Sequence, residues 1–473
     1  MVESKHLIIP STRMVNFSTS EEILSIDTKK KKNVTSIFIA LFLIAFVVIV
    51  EYINFFPGGY ISMPTASGTT SFTTTAIFKN DTDIIPFYLY PPELFPSFWG
   101  ANSSCDHSRV KTPKHDHEEF AYNAMKRHPW RRSDPSEASI AFLPLSLNLW
   151  KRNGCSSTID KDQIRQEIQK ALTDTGIFPT IRHVVFQNDF MTRVKDVNYI
   201  LEILKPALIT VYSEGRRDCS ISVGHSSNYA TENSLRKPNN FHLPDNRRFG
   251  TNRIYSVHMA GQVDQREAYS HRAALFTSKG EIPNNPFILG SYAKKSFESH
   301  PLYDRIRPCN SSRISDLLTH DHDRCRCRRI SRELAQSTQE KSNYTLCLRG
   351  DTLGSDRWIN GMAAGTALIQ VIADDSGWDW LPFPNIIPWK EFVITIWEKA
   401  YLKDPAGSIR KVMERISEER LLELQRMSLH YVADLDWMAH NSRVLENIIR
   451  DAYSVSCKAF DDYLVTSSSS ISE

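Results

Sequence analysis

The sequence predicts an α/β fold: two doubly wound units facing a cleft, preceded by one transmembrane helix. Three observations carry this reading. Tyr344–Asp375 (YTLCLRGDTLGSDRWINGMAAGTALIQVIADD) reads as strand, loop, helix, strand. Strands alternate with helices in two blocks, 84–250 and 251–415. Val34–Val50 is an uncharged apolar run directly after four lysines, Lys29–Lys32.

Composition narrows the classes further. The 473 residues are 41% hydrophobic and 23% charged, which is globular. A net charge of only +3 gives no support for a nucleic-acid partner. Eight cysteines are too few for a disulfide scaffold at this length but fit an oxidising compartment.

Residues 1–33 are polar and read as a cytosolic tail. The run that follows would make a helix of roughly 25 Å, near the lower limit for a bilayer; Ile53, Phe55 and Phe56 extend it past Glu51, and Tyr52 suits the interface. It starts too far from Met1 for a cleaved signal peptide, so 34–53 is read as a signal anchor. The lysines keep the N-terminus cytosolic, which is type II topology with a luminal body. Residues 54–83, with SGTTSFTTT, read as a flexible luminal stem. Four N-x-S/T sequons follow, at Asn80, Asn102, Asn310 and Asn343.

In the first block, 84–250, strands are expected at Ile84–Tyr90, Ala138–Leu143, His183–Phe186 and Ala207–Tyr212. Helices are expected at Phe120–Arg132 and Asp162–Leu172, and Arg216–Asn246 reads as a long polar loop. The second block, 251–415, opens with a strand at Ile254–Ala260 ending at Gly261. Asp316–Glu340 reads as basic loop, Glu391–Ile396 as strand. Residues 416–456 carry two helical patterns, and 457–473 form a polar tail.

Within Tyr344–Asp375 the turn residues Arg349-Gly350-Asp351-Thr352 and Gly354-Ser355-Asp356 separate a buried strand from a helix beginning near Arg357. Gly365 sits where a glycine ends a helix. Such a loop lies at the carboxyl end of a parallel strand, where open α/β sheets bind ligands. A helix N-terminus favours an anion there, and Arg349 or Arg357 can add a bidentate phosphate contact. Cys347, inside the strand, reads as a small core residue. Cys325-Arg-Cys327 beside His320, Asp321, His322 and Asp323 has a spacing atypical of structural zinc, and its arginines favour a solvated loop.

These residues resemble the donor signature of the exostosin family (glycosyltransferase family 47). Leu346-Cys347-Leu348, Gly350-Asp351, Ser355, Arg357, Gly365 and Asp374 fall on its pattern. YLYPPELF, RRSDPSEASIAFLP and the Leu381-Pro382-Phe383…Trp389…Phe392 stretch are similar to other family segments, over about residues 84–453. Two positions depart from it: Asn360 stands where the family has a carboxylate, and Ala367-Leu368 replaces a hydrophobic-Pro pair.

The resemblance implies a GT-B-like arrangement of two Rossmann-like domains, acceptor-side first and nucleotide-sugar-binding second. It implies a Golgi glycosyltransferase, hexosyl or pentosyl, moving a sugar from a nucleotide-sugar donor, UDP-linked, to a glycan or polysaccharide acceptor. No cofactor and no metal are expected. The partners implied are donor, acceptor, membrane and a transferase homo- or hetero-oligomer. Gly261 and Arg272 match family positions on the donor side. Arg349, Gly350, Asp351, Ser355 and Arg357 are the candidate diphosphate cradle, and Asn360 the candidate ribose contact. Asp189, past the strand at His183–Phe186, is the candidate catalytic base. The competing reading is a non-catalytic luminal sugar-binding or scaffolding protein of the same fold, which Asn360 favours.

Overall fold

The computed structural model describes residues 84–462, apart from 100–116, 146, 148–159, 187–201, 206, 213–218, 224–252, 265, 293–297, 310–323, 328–329, 350–355, 374–380, 438, 440 and 459. The expected tail, anchor and stem (1–33, 34–53, 54–83) and the polar end beyond 462 lie outside these residues. Among the described residues no helix is long and apolar enough to cross a membrane.

Two parallel six-stranded sheets form the body. The first contains β1 (Phe87–Leu89), β2 (Arg131–Arg132), β3 (Ile140–Phe142), β4 (Arg182–Phe186), β5 (Leu208–Tyr212) and β6 (Ser220–Ser222), in the order β2-β1-β3-β4-β5-β6. Helices α1 (His117–Met125) and α2 (Lys161–Thr175) belong to this half. The second contains β7 (Tyr255–Gln262), β8 (Phe287–Ser291), β9 (Cys325–Cys327), β10 (Ser342–Cys347), β11 (Ala367–Ile372) and β12 (Val393–Trp397), in the order β12-β11-β10-β7-β8-β9. With it go α3 (Ser270–Thr277), α4 (Arg332–Glu340), α5 (Asp356–Ala363), α6 (Glu398–Lys403), α7 (Pro405–Arg415) and α8 (Glu418–His430). The last long helix is α9 (Val444–Ser454).

Counted from β7 as strand one, the second sheet runs 3-2-1-4-5-6, the Rossmann order. The first runs 2-1-3-4-5-6, a second doubly wound order. These are the two Rossmann-like domains of a GT-B-like fold. Each order reverses at one place: between β1 and β3, and between β7 and β10.

Local chemistry explains the elements. Central strands are apolar along their length because helices cover both faces; all six residues of β11 are buried. Helix starts are capped by side chains: Asp160 accepts from the Asp162 amide, Ser331 from Leu334, Asp404 from Gly407 and Ser417 from Arg420. The end of α5 is a Schellman turn. Thr366 N–H donates to Gly361 O and Gly365 N–H to Met362 O, both at 2.9 Å, with Gly365 at φ +62°.

Several expectations are corrected. The helix foreseen over Phe120–Arg132 stops at Met125. Pro129 disfavours helix at the preceding residue, and Arg131–Arg132 instead pair with Phe87 and Tyr88 as an edge strand. The long loop of Arg216–Asn246 contains β6, a serine-flanked strand too short to show a period. The basic loop of Asp316–Glu340 contains β9 and α4, the latter burying Leu334 and Thr338. The sequon at Asn343 falls inside β10, beside the fully buried Thr345, which is no position for a surface glycan. Cys347 is a buried thiol outside any disulfide in that strand, as its apolar setting suggested.

The C-terminal helices divide between the sheets. α8 packs on β11 and α5, whereas α9 returns to β3, β4 and β6 of the first sheet. That return is fastened. A disulfide joins Cys219 to Cys457. Arg182 at the start of β4 donates to the carbonyls of Ala452 (2.9 Å) and Tyr453 (2.6 Å), closing the end of α9. His128 meets Glu446 at 3.2 Å, which holds that carboxyl below its usual range against the opposing effect of burial.

Candidate functional site

The reversal between β7 and β10 is where a doubly wound sheet leaves a crevice at its carboxyl edge. β7 brings Ala260, Gly261 and Gln262 to that edge, and β10 brings Leu348 and Arg349 just past its end. The helix after β7 is α3, and the helix after β10 is α5. Their first turns supply the arginines.

Arg357, in the first turn of α5, lies across the β7 backbone. Its Nε donates to Ala260 O at 3.2 Å. Its Nη2 is 1.9 Å from where a Cβ on Gly261 would stand, so residue 261 has to be glycine while Arg357 takes this position. Arg272, on α3, is 4% exposed and bridges both strands. Its Nη1 donates to Gln262 O (2.8 Å) and its Nη2 to Leu348 O (3.3 Å), while the guanidinium stacks on Tyr269 at 4.7 Å. Two carbonyls thus hold Arg272, which makes it a brace across the crevice carrying a fixed positive charge.

Arg349 leaves β10 and reaches the start of α3, with Nη2 3.4 Å from Ser270 Oγ and Nη1 3.9 Å from Glu398 Oε1. Its Nε is buried with no hydrogen-bond partner among the described residues. Glu398, the first residue of α6, also bonds Nε2 of His271. His271 is 1% exposed. Burial, the largest influence, lowers its pKa; Arg349 and Arg272 act the same way and Glu398 opposes them. At neutral pH it is a neutral imidazole, donating from Nε2 to Glu398. A fourth arginine, Arg266, pairs with the buried Asp264 (Nη2–Oδ2 2.9 Å) and covers Tyr269 at 4.8 Å.

Four guanidinium groups (266, 272, 349, 357) and two carboxylates (264, 398) therefore ring one crevice, and four minus two leaves a formal +2. Fixed donors and net positive charge at strand ends suit an anion of high charge density.

Of the residues singled out from sequence, the structure brings together Gly261, Arg272, Arg349 and Arg357. Gly350, Asp351 and Ser355 lie in 350–355, outside the described residues, but the flanks of that stretch, Arg349 and α5, are both at the crevice. Asn360 sits on α5 one turn beyond Arg357 and is 9% exposed. Asp189 also lies outside the described residues, three positions beyond the end of β4. Asp264, Arg266, His271 and Glu398 escaped the sequence reading. One signal was available: all four fall within ten residues after a parallel strand, where charged groups meet ligands.

The Cys325–Cys327 stretch is strand rather than solvated loop. Cys309 joins it, and the three sulfurs lie within 4.8 Å of one another. Two of them, those of Cys309 and Cys325, are joined in a disulfide.

No family model and no curated protein sequence matches this chain. Among solved structures it is similar to the N-terminal domain of trehalose-6-phosphate phosphatase from Candida albicans, at 8% identity over 72% of this chain and 75% of that one, with a TM-score of 0.36. It is similar to WaaG, a glycosyltransferase involved in lipopolysaccharide biosynthesis, at 9% identity over 78% and 100%, TM-score 0.35. A third is an alpha,alpha-trehalose-phosphate synthase (UDP-forming) from Burkholderia xenovorans, at 10% identity over 76% and 85%, TM-score 0.35. At these scores the fold assignment rests on the strand orders above.

Proposed function

We propose that this chain is a glycosyltransferase of the exostosin type, which moves a sugar from a UDP-linked donor to a glycan or polysaccharide acceptor. One observation carries the reading: Arg357 laid over Gly261 beside Arg272 and Arg349, at the point where the second sheet reverses. Breaking the bond between sugar and diphosphate puts negative charge on the departing oxygen. Preorganised guanidinium groups stabilise that charge without reorganising as it develops. The loop 350–355, with Gly350, Asp351 and Ser355, closes the cradle in this proposal, and Asn360 contacts the ribose. Asp189 takes the acceptor proton. Arginines perform the neutralisation that a metal performs in other transferases, so none is assigned. The proposed address is the Golgi membrane, with 34–53 as a type II anchor and the acceptor side built from 84–250.

The test is UDP binding by calorimetry on the intact protein in detergent. Binding that Arg357→Ala weakens supports the proposal; no binding of any nucleotide diphosphate refutes it.

A second reading keeps the fold without transfer: a luminal sugar-binding or scaffolding protein. Asn360 favours it, because an amide at 9% exposure holds a ribose less firmly than a carboxylate. Release of free sugar from a UDP-sugar panel separates the two, since only a transferase turns donor over.

A further inference from the structure

At the outer strand of the second sheet, two strands from the crevice, three cysteines meet. Pro308 bridges Arg326 in a parallel pairing next to β9. Cys309 N–H donates to Arg326 O (3.1 Å) and Arg326 N–H to Arg307 O (2.8 Å). The Arg326 side chain adds its own anchors, bonding Tyr303 O and Ile306 O at 2.9 Å and stacking on the Tyr303 ring at 3.4 Å. Backbone and arginine together fix where the three side chains start.

Cys309 is bonded to Cys325, with Cα atoms 4.9 Å apart. The free thiol of Cys327 has its Sγ 2.7 Å from Cys309 Sγ. Cys325 is 2% exposed, whereas Cys327 is half-buried. One sulfur therefore has two partners in reach, one sheltered and one open.

We propose that Cys309, Cys325 and Cys327 form a thiol–disulfide exchange site in which Cys309 alternates between the other two. Cys327 gives its proton to solvent and its thiolate attacks Cys309 Sγ. The 309–327 bond forms as the 309–325 bond breaks, and Cys325 leaves as a thiolate that takes up a proton. Nothing is oxidised or reduced overall. The exchange moves the free thiol between a position open to thiol-reactive small molecules and a buried position closed to them. Burial pushes the Cys327 thiol up to about 11, so thiolate is scarce at neutral pH and exchange quickens as pH rises. The proposal is independent of the functional reading above.

The test uses the intact, oxidised protein held at pH 7 or pH 9, then blocked with N-ethylmaleimide under acid. After reduction, digestion with Asp-N and Glu-C leaves Cys325 and Cys327 together on Asp323–Glu333, and fragment ions that break between them place the label. The label is expected on both cysteines, with the mixed population reached sooner at pH 9. Cys325→Ser is expected to form the 309–327 bond with little change in melting temperature. Label confined to Cys327 after long incubation at both pH values overturns the proposal. So does Cys325→Ser protein in which Cys309 and Cys327 are both labelled. Should that variant not fold, the wild-type label pattern decides alone.

Discussion

Arg357 occupies the space that any side chain at position 261 would need: its Nη2 lies 1.9 Å from the Cβ position of Gly261. A glycine on β7 and an arginine on α5, 96 positions apart in the chain, therefore specify each other. Gly261→Ala has to displace the guanidinium, which is the far end of a flexible side chain. The stability cost is expected to be small, about 1 kcal/mol or less. The loss in UDP affinity is expected to be large, about tenfold or more, equivalent to roughly 1.4 kcal/mol. In a double-mutant cycle, adding Gly261→Ala to Arg357→Ala should cost little more than Arg357→Ala alone. Calorimetric titration of the three variants checks this.

Arg272 is expected to behave differently, because it is tied to the backbone through Gln262 O and Leu348 O. Arg272→Met leaves both carbonyls short of a donor in a buried setting and should cost about 2–4 kcal/mol of stability. Urea unfolding of the intact protein measures it. Retention of wild-type stability would show that the brace holds nothing.

Glu398 orients His271 and faces Arg349. Glu398→Gln keeps the shape and removes the charge. Freed from its counter-ion, Arg349 should bind the diphosphate at least as tightly, with UDP affinity unchanged or raised a few-fold. A drop of tenfold or more would mean that Glu398 itself contacts the nucleotide.

Acid should weaken the fold through its buried histidines. Burial lowers His183 to about 4 and His258 to about 3, and lowers His271 as well. For a histidine depressed in this way, the unfolded chain binds the proton first as pH falls below about 6.5, so its contribution is intact above that value and declines below it. For His183 the loss reaches about 2 kcal/mol at pH 5. Melting temperature should fall from pH 7 to pH 5, and His183→Gln should flatten the fall if the fold is kept.

Much of the architecture was legible because parallel strands buried on both faces write themselves as short apolar runs. Tyr344–Leu348 and Ala367–Ala373 are examples, and Gly365 marked a helix end where the structure has φ +62°. What escaped was set by tertiary contact. Ser220–Ser222 becomes a strand only because β5 offers an open edge. Arg131–Arg132 leaves the helix pattern because Phe87 and Tyr88 pair with it. In the crevice, Arg349 and Arg357 were found from their positions after a strand, and Gly261 and Arg272 from the family resemblance. Glu398 and His271 were not, since neither belongs to a motif and they meet across 127 residues.

The central claim is that the reversal point of the second sheet grips a nucleotide diphosphate. Titrating UDP into the intact protein and its Arg357→Ala variant, with uridine as the control, tests it most directly. The account predicts that UDP binds, that uridine binds far more weakly, and that the variant loses most of the difference between them. Equal affinity for UDP and uridine, or a variant indistinguishable from wild type, would contradict it.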